Sequence, residues 1–221
     1  MIAPAVHSAR ARVGVLVPVK SFVQAKQRLS GVLHDEQRVL LAQRCAARVV
    51  SAAEPFDAFV VCDSDDARSW AESFGLHTIL VSGSGLNPAV EGAVQSLADR
   101  GYDLAVVAHG DLPLATTFGH LVAADTVTVV PDYRYDGTNA LVLPTMLAGR
   151  FVFQYGRGSF RKHVIEAIAR WPHVRVVRDD QLAHDLDTAT SLEQLADTPA
   201  HDLVVVEQED RDRGCGLVHS N

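Results

Sequence analysis

Val13-Gly14-Val15-Leu16-Val17-Pro18-Val19 is the stretch that decides the fold. Seven residues without polar alternation describe a strand buried on both faces, the mark of a parallel sheet covered by helices. From His34 to Ala53 the apolar residues Val39, Leu40, Cys45, Ala46 and Val49 recur at helical spacing, with Arg and Gln between them, as in a crossover helix. The alternation then repeats: strand 58–62, helix 65–74, strand 78–81, helix 88–99, strand 104–108. Such an order implies an α/β fold, a mostly parallel sheet with helices on both faces. The second half is more mixed, with strands expected at 127–130, 140–143 and 174–177, a helix at 159–169, and Val204-Val205-Val206 as an added edge strand. The 221 residues read as one domain with a core at about 13–198.

The composition is 48% hydrophobic, enough for a sizeable core. A net charge of −7, with Lys and Arg spread along the chain, gives no footprint for a nucleic-acid backbone. Cys45, Cys62 and Cys215 are far apart and form no Cys-x-x-Cys pair, so they read as reduced thiols of a cytoplasmic protein. Met1 to Arg12 lacks the apolar stretch of a signal peptide, and no apolar run is long enough to span a bilayer. A small-molecule partner is therefore expected.

In open parallel sheets ligands bind beyond the carboxyl ends of the strands. After the first strand come Lys20, Lys26 and Arg28, three cations in one loop. They suit a polyphosphate whose leaving group needs charge compensation; a solvated basic turn is the plainer alternative. The fifth strand ends at His109-Gly110-Asp111-Leu112-Pro113, where Asp111 can hold magnesium or cap a following helix. Asp185 and Asp187 fall on one face of an extended segment and can complete a metal site with Asp111; alternatively, Asp187 or Thr188 caps a helix near Ser191. The turn Asp136-Gly137-Thr138-Asn139 and the helix start Tyr155-Gly156-Arg157-Gly158-Ser159 both offer N–H groups and hydroxyls to an anion. Asn87, beside Gly83 and Gly85, either contacts a base or ribose or caps the next helix. His163 either contacts a phosphate or is a surface or packed histidine. Walker-loop, zinc-enzyme and Gly-x-Ser-x-Gly patterns are absent.

Taken in order, several segments resemble the successive signatures of the 2-phospho-L-lactate guanylyltransferase family. They are Pro18-Val19-Lys20 with Ala25-Lys26-Gln27-Arg28-Leu29, Leu86-Asn87, Gly110-Asp111-Leu112-Pro113-Leu114, Gly137-Thr138-Asn139-Ala140-Leu141, Gly156 to Ser159 with His163, and Asp185-Leu186-Asp187-Thr188. The family includes bacterial phosphoenolpyruvate guanylyltransferases, which begin side-chain assembly of the deazaflavin coenzyme F-420. The resemblance implies a Rossmann-like nucleotidyltransferase fold and transfer of GMP from GTP to the phosphate of phosphoenolpyruvate or 2-phospho-L-lactate, with release of pyrophosphate. It also implies Mg2+ on Asp111 and the Asp185–Asp187 pair, an acceptor near Thr138, Gly156 and Ser159, and functional coupling to the downstream deazaflavin-accepting transferase. Asp136 stands where a second Gly is frequent, and Ala189-Thr190 replaces a Pro-acidic pair; neither removes a proposed ligand. The alternatives are 3-phosphoglycerate as acceptor, a related enzyme acting on a sugar phosphate or molybdopterin, and a nucleotide-binding protein without catalysis. Pro-Val-Lys in place of a Gly-Gly-rich first loop speaks against the related enzymes.

Overall fold

A computed structural model describes residues 11–81, 85–195 and 198–204. The first half alternates β1 (Val13–Val19), α1 (Asp35–Ser51), β2 (Asp57–Cys62), α2 (Asp65–Ser73), β3 (His77–Leu80), α3 (Leu86–Asp99) and β4 (Leu104–Ala108). The second half has β5 (Val127–Pro131), β6 (Thr138–Pro144), α4 (Ser159–Arg170), β7 (Val174–Val176), α5 (Ala189–Leu195) and α6 (His201–Val204). One seven-stranded sheet runs in the order β3-β2-β1-β4-β6-β5-β7. β1 pairs in parallel with β2 and β4, whereas β6 lies antiparallel to both β4 and β5. The reversed strand sends the chain back along the sheet beside β4, and period-2 patterning carries no information about direction.

Side chains alternate across β1 and feed two cores. Val13, Val15, Val17 and Val19 pack with Ala42, Ala46 and Val49 of α1 and with Ala67, Trp70 and Ala71 of α2. Leu16 faces the opposite layer, with Val90, Val94 and Leu97 of α3 and Ala167 of α4. This two-sided burial is why the opening run shows no polar alternation. A third, smaller cluster joins Leu29, Leu41, Cys45, Leu186, Leu195 and Leu203. It binds the loop after β1 to the segment before α5.

Three boundaries differ from expectation. α3 begins at Leu86 rather than Pro88, after Gly85 at φ +115°, because proline is tolerated within a helix's first turn. Thr138 and Asn139 open β6 instead of lying in a turn. The Asp132 carboxylate accepts the N–H groups of Arg134, Asp136 and Gly137 at 2.9–3.0 Å, closing the loop one step earlier. Val204 ends a helix and adds no edge strand, while Val205 and Val206 lie outside the described residues.

Gly14 marks the tightest contact between sheet and α3. A Cβ there would lie 2.7 and 2.8 Å from the Leu97 methyl groups and 3.3 Å from the Tyr102 ring. Gly14→Val is expected to destabilise the protein by about 1–3 kcal/mol through overpacking. Urea midpoints of the two proteins check this; an unchanged midpoint refutes it.

Candidate active site

Loop 20–29 leaves β1 as two short 3-10 turns joined at Lys26, whose backbone is left-handed at φ +55°. Such a conformation is uncommon for a residue with a side chain and must be held by its surroundings. Two contacts hold it. Asp66 on α2 accepts from Ser21 Oγ at 3.0 Å and from the Phe22 N–H at 2.7 Å. Arg38 on α1, itself buried, donates to the Ala25 carbonyl at 2.8 Å.

The loop delivers the Lys26 ammonium between two carboxylates. Nζ lies 2.9 Å from Asp111 Oδ2 and 3.1 Å from Asp187 Oδ1, with only 6% of the side chain exposed. Arg28 Nη1 stands 3.8 Å from Asp187 Oδ2 on the solvent side. Burial opposes the charge on Lys26, but Asp111 and Asp187 outweigh it and hold the amine above the ordinary lysine range. Burial likewise works to raise the Asp111 carboxyl; the Lys26 charge and hydrogen bond prevail and keep it below its usual value. Among the described residues Asp185 has no such partner; it borders a separate hollow with His184 and Ser191 rather than the cleft of Asp187, and burial followed by the Asp111 charge pushes its carboxyl up.

No helix follows Asp111, so its side chain caps nothing. Instead, the Asp111 carbonyl accepts the Leu186 N–H at 3.0 Å, fixing the 185–187 segment against the end of β4. The competing role for Asp187 falls to a neighbour: Thr188 Oγ1 accepts the Ser191 N–H at 3.2 Å at the start of α5. Lys20, Lys26, Asp111 and Asp187 line one cleft of about 450 Å3 with Gly110, His109 and Leu86. A Cβ on Gly110 would come within 3.2 Å of the Pro18 carbonyl, so glycine lets the two strand ends close together.

Asp111 Oδ1 is enclosed without a hydrogen-bond partner among the described residues. An orphaned carboxylate oxygen is costly unless something else fills it. Among the described residues no group of three or more His, Cys, Asp or Glu side chains forms a ready cage for a metal. Magnesium needs less than a cage, since one or two carboxylates, phosphate oxygens and water complete its shell.

The second group of candidates gathers at the start of β6 and α4. Ser159 Oγ accepts the Thr138 N–H at 3.0 Å, and Thr138 Oγ1 lies 3.0 Å from His163 Nδ1. Gly156, at φ +113°, has open space where a side chain would be. Three candidates serve the scaffold and not a ligand. His163 is fully buried and its Nε2 accepts the Gln154 N–H at 2.9 Å, so it presents no atom to a phosphate. The buried Asn139 amide donates to the Leu182 carbonyl at 2.8 Å. Asn87 neither caps α3 nor faces the cleft, because Oδ1 accepts the Tyr155 N–H at 2.7 Å. These three side chains are spent on fixing loops.

Asp66, Arg38, Asp132 and His109 carry no role in the sequence reading. The first three are single charged residues on ordinary helices and loops, without a motif to single them out. His109 follows β4 in the same segment as Asp111. It borders the cleft, and its ring lies 5.3 Å from that of Tyr155.

Fold and site together define a nucleotidyltransferase of Rossmann-like architecture, with cations and carboxylates gathered beyond the strand ends. A structure from Desulfovibrio desulfuricans described as a candidate nucleotide-diphospho-sugar transferase superposes with a TM-score of 0.67. It shares 15% identity, covering 88% of this chain and 94% of its own, and so supports the fold alone. The family model "Guanylyl transferase CofC like" matches residues 13–197, and the chain belongs to that family. A phosphoenolpyruvate guanylyltransferase from Chloroflexus aggregans is 31% identical over 85% of this chain and 100% of its own length. A 2-phospho-L-lactate guanylyltransferase from Methanothermobacter thermautotrophicus is 31% identical over 81% and 82%.

Burial pushes the His163 imidazole down to about 4. The unfolded chain takes up this proton near pH 6.5 while the folded protein refuses it. The site's contribution is therefore complete above about pH 6.5 and declines by up to roughly 1.4 kcal/mol per pH unit as pH falls toward 4. Urea midpoints of wild type and His163→Gln between pH 7.5 and 4.5 are expected to converge as pH falls. A constant gap rules out a neutral buried His163.

Proposed function

We propose that the protein transfers GMP from GTP to the phosphate of a small phosphorylated carboxylic acid, phosphoenolpyruvate or 2-phospho-L-lactate, in the assembly of coenzyme F-420. The observation that carries this reading is the position of Asp111. One of its carboxylate oxygens is paired with Lys26, and the other is enclosed without a partner among the described residues, just beyond β4 in a cation-lined cleft. Family membership supplies the reaction class, and the names of the relatives supply the acceptor.

In the reaction, an oxygen of the acceptor's phosphate attacks the α-phosphorus of GTP. The bond from that phosphorus to the bridging oxygen breaks, and pyrophosphate departs with the electron pair. A phosphate monoester is already an anionic nucleophile, so no strong base is required of the protein. The protein's task is to hold two mutually repelling anions in line and to neutralise charge as it moves toward the leaving group. Lys20, exposed at the cleft, and Arg28 at its outer side are placed to meet phosphate oxygens. Asp111 and Asp185, with Asp187 beside them, are the residues that would hold Mg2+, which when bound offsets charge on the phosphates. Gly156 and the N–H groups at the start of α4 are the groups we assign to the acceptor; the Thr138 and Ser159 side chains, expected beside it, are buried and instead tie β6 to α4 and His163. A helix start carries N–H groups and a partial positive charge suited to a carboxylate or phosphate. This reading places the enzyme in the cytoplasm, with the downstream deazaflavin-accepting transferase drawing off its product; no described helix is long and apolar enough to cross a membrane.

Pyrophosphate release with magnesium, crossing GTP, CTP and ATP against phosphoenolpyruvate, 2-phospho-L-lactate and 3-phosphoglycerate, tests the reading, with the downstream transferase added to consume product. Turnover is expected with GTP and one of the first two acids; turnover confined to CTP or ATP, or to none, overturns it. Asp111→Asn is expected to lower kcat on the order of 10²–10³-fold. It should also lower stability, since a buried Lys26 loses one of two counter-ions. Assays are therefore run where circular dichroism shows the variant folded, and near-normal kcat there removes Asp111 from the machinery.

A further inference from the structure

The Lys26 ammonium occupies ground that two kinds of ligand would contest. It lies 2.9 and 3.1 Å from carboxylates on two separate segments, nearly shut off from solvent. A divalent ion drawn to Asp111 and Asp187 would reach Asp111 Oδ1 only beside the oxygens that Lys26 already holds, and would be repelled by the ammonium next to it. The backbone around Lys26 is pinned, by Asp66 at Ser21 and Phe22 and by Arg38 at Ala25. The lysine's four-carbon stem is thus the part free to rearrange, without movement of the loop. The cleft it borders is also lined by Lys20 and Gly110 and, at about 450 Å3, has room for a polyanion.

We propose that Lys26 is a resident counter-ion that keeps divalent metal off these carboxylates until a nucleoside triphosphate arrives. The ammonium then passes from carboxylate to phosphate, so metal and nucleotide enter as a coupled pair and not metal first. The inference rests on the reading that Asp111 and its neighbours hold the metal, and it deepens that reading by assigning an order of binding. Coupling between two ligands is reciprocal, so nucleotide must tighten metal by the same factor that metal tightens nucleotide.

The test is Mn2+ binding to the full-length protein, followed by electron paramagnetic resonance, with and without the non-reactive analogue α,β-methylene-GTP. Nucleotide-free wild type is expected to bind Mn2+ only weakly, and the analogue to tighten it about 10-fold or more, within the usual range of coupling between sites. Lys26→Met should bind Mn2+ tighter than wild type without nucleotide and respond little to the analogue. Mn2+ should also raise the Tm of this variant more than that of wild type, since a ligand stabilises the state it binds. A folded Lys26→Met that binds Mn2+ no tighter than wild type overturns the proposal. So does micromolar Mn2+ binding by nucleotide-free wild type, a result that needs no variant to fold. None of these readouts involves turnover, so a protein that behaves as expected toward Mn2+ but releases no pyrophosphate with any acid would sink the proposed function and leave this inference standing.

Discussion

A lysine enclosed between two aspartates is the constraint on which the site depends. Burying a charge is costly unless it is paired, and breaking such a pair costs far more than forming it returns. Three distant parts of the chain must therefore converge with accuracy: the loop after β1, the end of β4 and the segment before α5. The converging parts have their own supports. The Leu186 N–H is held by the Asp111 carbonyl, and Leu29, Leu41, Leu186 and Leu195 pack into a small core beneath. Cys45 lies in the same core, its thiol pushed up to about 12 by burial, and so stays neutral there.

The first half of the sheet was legible from hydrophobic pattern because its central strands, β1 and β4, are buried on both faces. Val13 to Val19 and Leu104 to Ala108 have no other good explanation than central parallel strands. The direction of β6 was not legible, since alternation and apolar runs look the same read either way. Asp136-Gly137-Thr138-Asn139 has the composition of a turn, yet Asp132 closes the loop early and frees Thr138 and Asn139 for the ladder. Here a single carboxylate, unremarked in sequence, moved a boundary by two residues.

The site shows the same division. Asp111, Lys20 and Asp187 were found at strand ends by the general rule for α/β sheets, and the structure lines one cleft with them. Lys26 was read as one of three cations for a polyphosphate, with a solvated turn as the alternative; no sequence pattern reports that two carboxylates from far along the chain enclose it. His163 and Asn139 have the chemistry of ligands and the burial of scaffold. Polar residues inside a protein must be satisfied, and the side chains best able to bind a substrate are equally able to satisfy a neighbouring loop.

The reversed strand has a consequence for how this architecture can change over time. Because β6 runs against β4, its beginning and not its end reaches the ligand edge, with Asn139 receiving the His109 N–H at 3.0 Å. Groups assigned to the nucleotide are thus carried mainly by the parallel first half, and those assigned to the acceptor by the start of α4, which follows the return strand. The boundary between them is a single pair of adjacent strands. Lineages can remodel one side of that seam, exchanging one acid for another, while inheriting the other side intact.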